Sequence, residues 1–143
     1  MGIDHGTVRI GVAVSDPLGI TASGVETIRV RPSDPDAAFR RILELVTEYE
    51  IGTVVVGLPR RTDNREGESE LNARALARRL EENLDVPVVL QDERFTSVIA
   101  NRILRDSTVK KDRRRDVVDQ VAAEVIVKDY LEMLRNKRMR GED

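Results

Sequence analysis

Met1-Gly-Ile-Asp-His-Gly-Thr-Val-Arg-Ile-Gly-Val-Ala-Val-Ser15 is the stretch on which the fold turns. Residues 2–5 and 8–15 read as two short strands joined at His5-Gly6-Thr7, and Asp4 stands inside the first of them. A charge in an apolar strand is costly unless something pairs with it, so Asp4 is treated as the seed of a site.

Working outward, Asp16-Pro17-Leu18-Gly19 is a turn signature, and Ile20 to Val30 supplies a third strand. Three strands joined by tight turns make an antiparallel meander. Pro32-Ser33-Asp34-Pro35 then breaks the chain, and Phe39, Ile42, Leu43 and Val46 recur at helical spacing, which predicts a helix over 35–50. Thr53-Val-Val-Val56, closed by Gly57-Leu58-Pro59, is a β-branched run suited to a strand buried on both faces.

After a polar loop over 60–67, Ala73, Leu76, Ala77, Leu80 and Leu84 mark a second helix, and Val86 to Leu90 a fifth strand that ends in Gln91-Asp-Glu-Arg94. A third helix is expected from Thr96 to Asp106, a cationic loop from Ser107 to Arg115, and a last helix from Arg115 to Arg135. The order βββ-α-β-α-β-α-α predicts an α/β domain over 1–136 with a tail over 137–143. Its sheet is mixed and five-stranded, an antiparallel three-strand meander plus two parallel strands, flanked by helices. In such sheets, sites gather at the carboxyl ends of the parallel strands.

Composition narrows the chemistry. The 143 residues include no cysteine and one histidine, which removes thiolate nucleophiles, cysteine-ligated clusters and histidine-pair zinc sites. A metal site would be built from oxygen donors, which favours Mg²⁺ or Mn²⁺. Lys and Arg total 24 against 26 Asp and Glu, so a nucleic-acid partner would need a local basic patch. No apolar stretch approaches a membrane span and no basic-then-apolar leader opens the chain, so the expectation is a cytoplasmic protein with no membrane partner.

Three carboxylates fall where this architecture would bring them together: Asp4 in the first strand, Glu93 past the fifth, and Asp119 in the last helix. Asp119 heads the helical row Ala122, Ala123, Ile126, Tyr130 and Met133, and the two alanines would let the helix approach the strand ends. Converging like charges are tolerated chiefly around a divalent cation. Blander roles exist for each acid: turn capping for Asp4, a salt bridge or helix-dipole charge for Glu93, and an ion pair at the helix rim with an arginine of 113–115 for Asp119. Asp116 would be an auxiliary ligand or a first-turn acid, Asp92 should point away from Glu93, and His5 reads as an ordinary strand side chain. Lys110, Lys111, Arg113 and Arg114, with Arg60, Arg61 and Arg65, would flank the acidic pocket and suit phosphate contacts.

Four blocks carry a resemblance over nearly the whole chain: Gly2 to Asp16, Val56-Gly-Leu-Pro59, Asp92-Glu-Arg-Phe-Thr96 and Val118-Asp-Gln-Val-Ala-Ala123. Together they resemble the YqgF/RuvX family. The resemblance implies an RNase H-like fold and a divalent-metal-dependent endonuclease, acting as a Holliday junction resolvase or in maturing the 5′ end of pre-16S rRNA. It places the family's acids on Asp4, Glu93 and Asp119, with Arg9 as a nucleic-acid contact. Two ions roughly 3.5–4 Å apart would then share the site, bridged by Asp4, and leave products with a 5′ phosphate. A resolvase would act as a homodimer on its two-fold symmetric junction. Val8 departs from the family, which usually carries Lys or Arg there, and the chain starts closer to Asp4 than is usual. Two other readings are a non-catalytic RNA- or ribosome-associated factor and, from the Asp-x-Gly-Thr pattern, an actin-like nucleotide-binding phosphotransferase; the latter needs two such domains.

Overall fold

A computed structural model describes residues 1–59, 67–92 and 111–141, apart from the side chains of 111–115. Its strands are β1 (Gly2–His5), β2 (Arg9–Ser15), β3 (Ala22–Arg29), β4 (Val54–Leu58) and β5 (Val88–Asp92). The helices are α1 (Asp36–Glu48), α2 (Glu68–Asn83) and α3 (Lys111–Met139). One sheet holds all five strands in the order β3-β2-β1-β4-β5. β1–β2 and β2–β3 are antiparallel, whereas β4 runs parallel to both β1 and β5, which is the expected meander plus two parallel strands.

Local chemistry sets the boundaries. The first turn of the meander closes with Gly6 N–H donating to the Arg9 carbonyl at 2.9 Å. In the second turn, Asp16 Oδ1 accepts from the backbone N–H groups of Ile20 and Thr21 at 2.6 and 3.1 Å, and Gly19 takes a φ of +69°. β5 begins at Val88 rather than Val86 and extends through Asp92, because Pro87 has no N–H for the ladder; its carbonyl instead accepts from Val54 N–H at 2.9 Å. The expected cationic loop is corrected in part: residues 111–115 are helical, as the high helix propensity of Lys and Arg allows. At its other end α3 continues past Arg135 to Met139. The helix expected over 96–106 lies outside the described residues.

The two faces of the sheet are covered differently. Ile3, Ile10, Val12, Ile28, Val54 and Val56 project from one face and pack with Phe39, Ile42 and Leu45 of α1 and Ala73, Ala77 and Leu80 of α2. β4 is buried along its whole length, as expected between two parallel neighbours. On the other face, α3 lies across β1, β2 and β3, and the buried contact there consists of Ala13 with Ala123 and Val127, joined by Ala22 and Leu131. Among the described residues, no helix is long and apolar enough to cross a membrane.

Candidate active site

Alternation along β1 sends Ile3 into the core of α1 and α2 and leaves Asp4, half-buried, on the face covered by α3. Asp4 pairs with Gly11 of β2, and side chains of directly opposed residues share a face. It occupies the carboxyl end of β1, level with the same ends of β4 and β5, where sites form in sheets of this kind.

What lies above Gly11 is Asp119. A Cβ built on Gly11 would overlap the backbone carbonyl of Asp119 and sit 3.0 Å from the Asp119 Cβ. The same holds in the neighbouring row of the sheet, where Gly2 and Gly24 stand on either side of Ala13. A Cβ on Gly2 would lie 2.7 Å from the Ala123 carbonyl, and one on Gly24 would lie 2.9 Å from the Gln120 Cβ. Glycine at these strand positions therefore lets α3 settle onto the sheet backbone, and that close approach brings Asp119 and Asp4 together over a single residue. Ala122 and Ala123 are buried, as the helical spacing predicted, but the space for the approach is made by the sheet as well as by the helix.

Polar contacts fix the rotation and register of α3. Arg9 Nε donates to Asp119 Oδ2 at 2.8 Å, with the two side chains only 24 and 16 % exposed. Next to it, Arg29 reaches Asp116 at 3.4 Å, and Thr27 Oγ1 donates to the Asp116 carbonyl at 2.9 Å. Gln120 Nε2 donates to Thr27 Oγ1 at 3.2 Å, and Glu124 accepts from Gly24 N–H at 2.7 Å. Asp119 is thus ion-paired with Arg9 of β2, while the side chains of 113–115 lie outside the described residues. Asp116 caps the edge of this network as the partner of Arg29. Neither the part played by the three strand glycines nor the roles of Arg29 and Thr27 is legible in the sequence. The available signal was glycine recurring inside strands, where it otherwise weakens them.

The remaining candidates divide clearly. His5 points to the opposite face from Asp4, paired with Ile10, and burial pushes its imidazole below the usual pKa. It is a strand side chain, as expected. Asp92 shares the α2 face with Val88 and Leu90, away from Asp4, while Gln91 lies on the α3 face opposite Gly57. Glu93, Arg60, Arg61, Arg65 and Lys110 lie outside the described residues. Lys111, Arg113 and Arg114 belong to the first turns of α3, their side chains likewise outside the description.

The donors that converge, Asp4 and Asp119, are hard carboxylate oxygens of the type that binds Mg²⁺ or Mn²⁺. Among the described residues no group of three or more acids or histidines stands ready to hold a metal.

Comparison with known proteins points the same way. The family described as RuvX, Holliday junction resolvase, matches residues 1–133. A protein of Listeria innocua, named as a candidate pre-16S rRNA nuclease, is 44 % identical over 132 residues, which cover 92 % of this chain and 96 % of that protein. One from Mycobacteroides abscessus with the same name is 46 % identical over 143 residues, covering 99 % of this chain and 86 % of that protein. Among solved structures, Thermus thermophilus RuvC bound to a Holliday junction superposes with a TM-score of 0.60 at 15 % identity, over 94 % of both chains. A fowlpox virus resolvase in complex with junction DNA gives 0.51 at 14 % identity, over 93 % of this chain and 96 % of that one. At such identities the superpositions establish the fold alone.

Proposed function

This chain belongs to the RuvX family of Holliday junction resolvases, and on that premise we propose that it is a divalent-metal-dependent endonuclease hydrolysing phosphodiester bonds in structured nucleic acid. The observation that carries this reading is the meeting of Asp4 and Asp119 over Gly11, at the carboxyl ends of the parallel strands. The substrate is a branched DNA or the precursor of 16S rRNA. The solved relatives are described with junction DNA, whereas the sequence relatives are named for the RNA.

In this reading Asp4, Glu93 and Asp119 hold Mg²⁺ or Mn²⁺. A bound ion pair supplies an activated water for attack on phosphorus and charge neutralisation at the departing 3′ oxygen. The chain's own work is positioning. β1 fixes Asp4, the glycine contacts fix the height of Asp119, and Arg9 fixes its rotation. Arg60, Arg61, Arg65, Lys110, Lys111, Arg113 and Arg114 would grip backbone phosphates around the scissile bond. No imidazole base is called for, in keeping with a lone histidine facing the other way. On a two-fold symmetric junction the protein would act as a homodimer.

The test is cleavage of a four-way DNA junction, a matched linear duplex and an RNA carrying the 5′ leader of the small-subunit precursor. Each is assayed with Mg²⁺, Mn²⁺ or chelator, beside Asp4→Asn. Metal-dependent paired nicks in the junction assign a resolvase, and selective cutting of the leader assigns ribosomal processing. In either case Asp4→Asn should lose at least about 100-fold in rate while remaining folded. A folded wild-type protein that cuts nothing with either metal would instead leave a nucleic-acid-binding factor.

A further inference from the structure

The Arg9–Asp119 pair has an unusual economy. Among the described residues, Arg9 is attached through Nε alone and to Oδ2 alone. Among the described residues, the terminal guanidinium nitrogens and Asp119 Oδ1 have no hydrogen-bond partner. Among the described residues, the side of Arg9 suited to a bidentate phosphate contact and the oxygen suited to a cation are therefore both left without a partner. Arg9 also stands directly opposite Arg29 in the β2–β3 ladder, so two cations border this edge of the site, each matched to an aspartate one turn apart on α3. Like charges placed opposite one another repel unless partnered.

A divalent ion arriving at Asp119 must share its carboxylate with a guanidinium already 2.8 Å away. In a site this shielded from water, that repulsion weakens metal binding. A backbone phosphate taken up on the terminal nitrogens of Arg9 would offset the positive charge without moving Nε. Resting on the nuclease reading above, we propose that Arg9 makes metal loading conditional on nucleic acid. In the free protein it holds Asp119 in place and disfavours the ion; with a phosphate bound, it continues to position Asp119 and the penalty is removed. Arg9 is thus a positioning residue that couples two binding events.

Mn²⁺ affinity, followed by the loss of the free-ion electron paramagnetic resonance signal, tests this with and without excess four-way DNA junction. Asp4→Asn serves as the reference for binding elsewhere on the protein and DNA. Cutting the DNA during the titration leaves its phosphates in place. Wild type should bind Mn²⁺ at the Asp4-dependent site about tenfold more tightly with DNA than without. Arg9→Gln, confirmed as folded by circular dichroism, should bind tightly in both conditions, and Arg9→Lys, which keeps the charge, should stay weak in the free protein. Equal wild-type affinity with and without DNA overturns the proposal, whatever the variants do. So does Arg9→Gln that binds as weakly as wild type in the free protein. Loss of any Asp4-dependent Mn²⁺ site, DNA present or not, would overturn the metal-nuclease reading as well, so the two failures are distinguishable.

Discussion

The two faces of the sheet solve the same burial problem with opposite residues. Toward α1 and α2 the strands present Ile3, Ile10, Val12, Ile28, Val54 and Val56, and the helices answer with Phe39, Ile42, Leu45 and Leu80. Toward α3 the corresponding positions are Gly2, Gly11, Ala13 and Gly24, met by Ala123, Val127 and the helix backbone itself. The first face gains stability from the volume of branched side chains. The second gives up that volume for proximity, and proximity is what places Asp119 over Gly11, the cross-strand partner of Asp4. Polar contacts then do on the α3 face what side-chain interlocking does on the other: Arg9–Asp119, Arg29–Asp116, Thr27–Asp116 and Gly24–Glu124 set where the helix lies.

If this division of labour is right, mutations on the two faces should separate stability from activity. The largest stability effect belongs to the apolar face. Ile42 is fully buried in α1, and Ile42→Ala should cost about 2–5 kcal/mol in a urea melt through lost transfer energy and the cavity left behind. Nuclease activity per folded molecule should be unchanged, and a matching loss of activity would mean that the site depends on this face too.

Gly11→Ala reverses the pattern. A methyl group there collides with the Asp119 carbonyl, so α3 must lift from the sheet. Overpacking of this kind costs about 1–3 kcal/mol. The displacement of Asp119 should reduce cleavage by about 100-fold or more, since misplacement by an ångström is enough for that. A variant that folds with wild-type cleavage rates would show that the close approach does not position the site.

The contrast between faces also explains what could be read from the sequence. The branched runs over 8–15 and 53–56, the helical stripe of Phe39, Ile42 and Val46, and the turn at Asp16 to Gly19 announce themselves locally. From them followed the mixed sheet and the order of its elements along the chain, though not the order of the strands within the sheet. On the α3 face the information is spread over residues about a hundred positions apart, as in Gly11 with Asp119 or Gly24 with Glu124, and a glycine in a strand does not say what comes close to it. Asp119 was legible because an acid headed an apolar helical row. Its pairing with Arg9 was not, because the two residues are far apart in sequence and only the fold brings Arg9 from across the sheet. The helical state of 111–115 was obscured by a charge run that reads equally well as a solvated loop.

A smaller effect is expected where α1 ends. Tyr49 N–H donates to the Leu45 carbonyl, Glu50 N–H to Thr47 and Ile51 N–H to Val46, at 3.0, 3.2 and 3.0 Å, closing the helix in the manner that places its terminating residue in the left-handed region. That residue is Glu50, with φ at +50°, a conformation glycine adopts without the steric cost. Glu50→Gly should therefore stabilise the protein by roughly 0.5–1 kcal/mol in a chemical melt, after the added chain entropy of glycine is set against the strain relieved. Cleavage should be unaffected, because α1 packs on the face away from Asp4. Destabilisation would indicate that the carboxylate of Glu50 contributes more than its backbone costs.

The smallest effect tests the α3 face beyond the candidate site. Asp129 and Glu132 line a shallow groove of about 300 Å³ with Gln91, Met133, Asn136 and Arg140. Burial, followed by the neighbouring charge of Glu132, raises the Asp129 carboxyl above its ordinary value of 3.8. The folded protein therefore holds the proton more tightly than the unfolded chain does. The pair of states is most favourable to folding below pH 3.8, and this contribution is lost as pH rises through the higher folded value. At neutral pH the ionised Asp129 is a modest liability, which the neutral amide of Asp129→Asn removes. The variant should melt slightly higher than wild type at pH 7, and the advantage should shrink toward zero as the pH is taken below 3.8. An advantage independent of pH would trace to packing of the amide, and a lower melting point at pH 7 would show that the carboxylate has a stabilising partner along the groove, making this stretch of α3 as dependent on polar contacts as the stretch that carries Asp119.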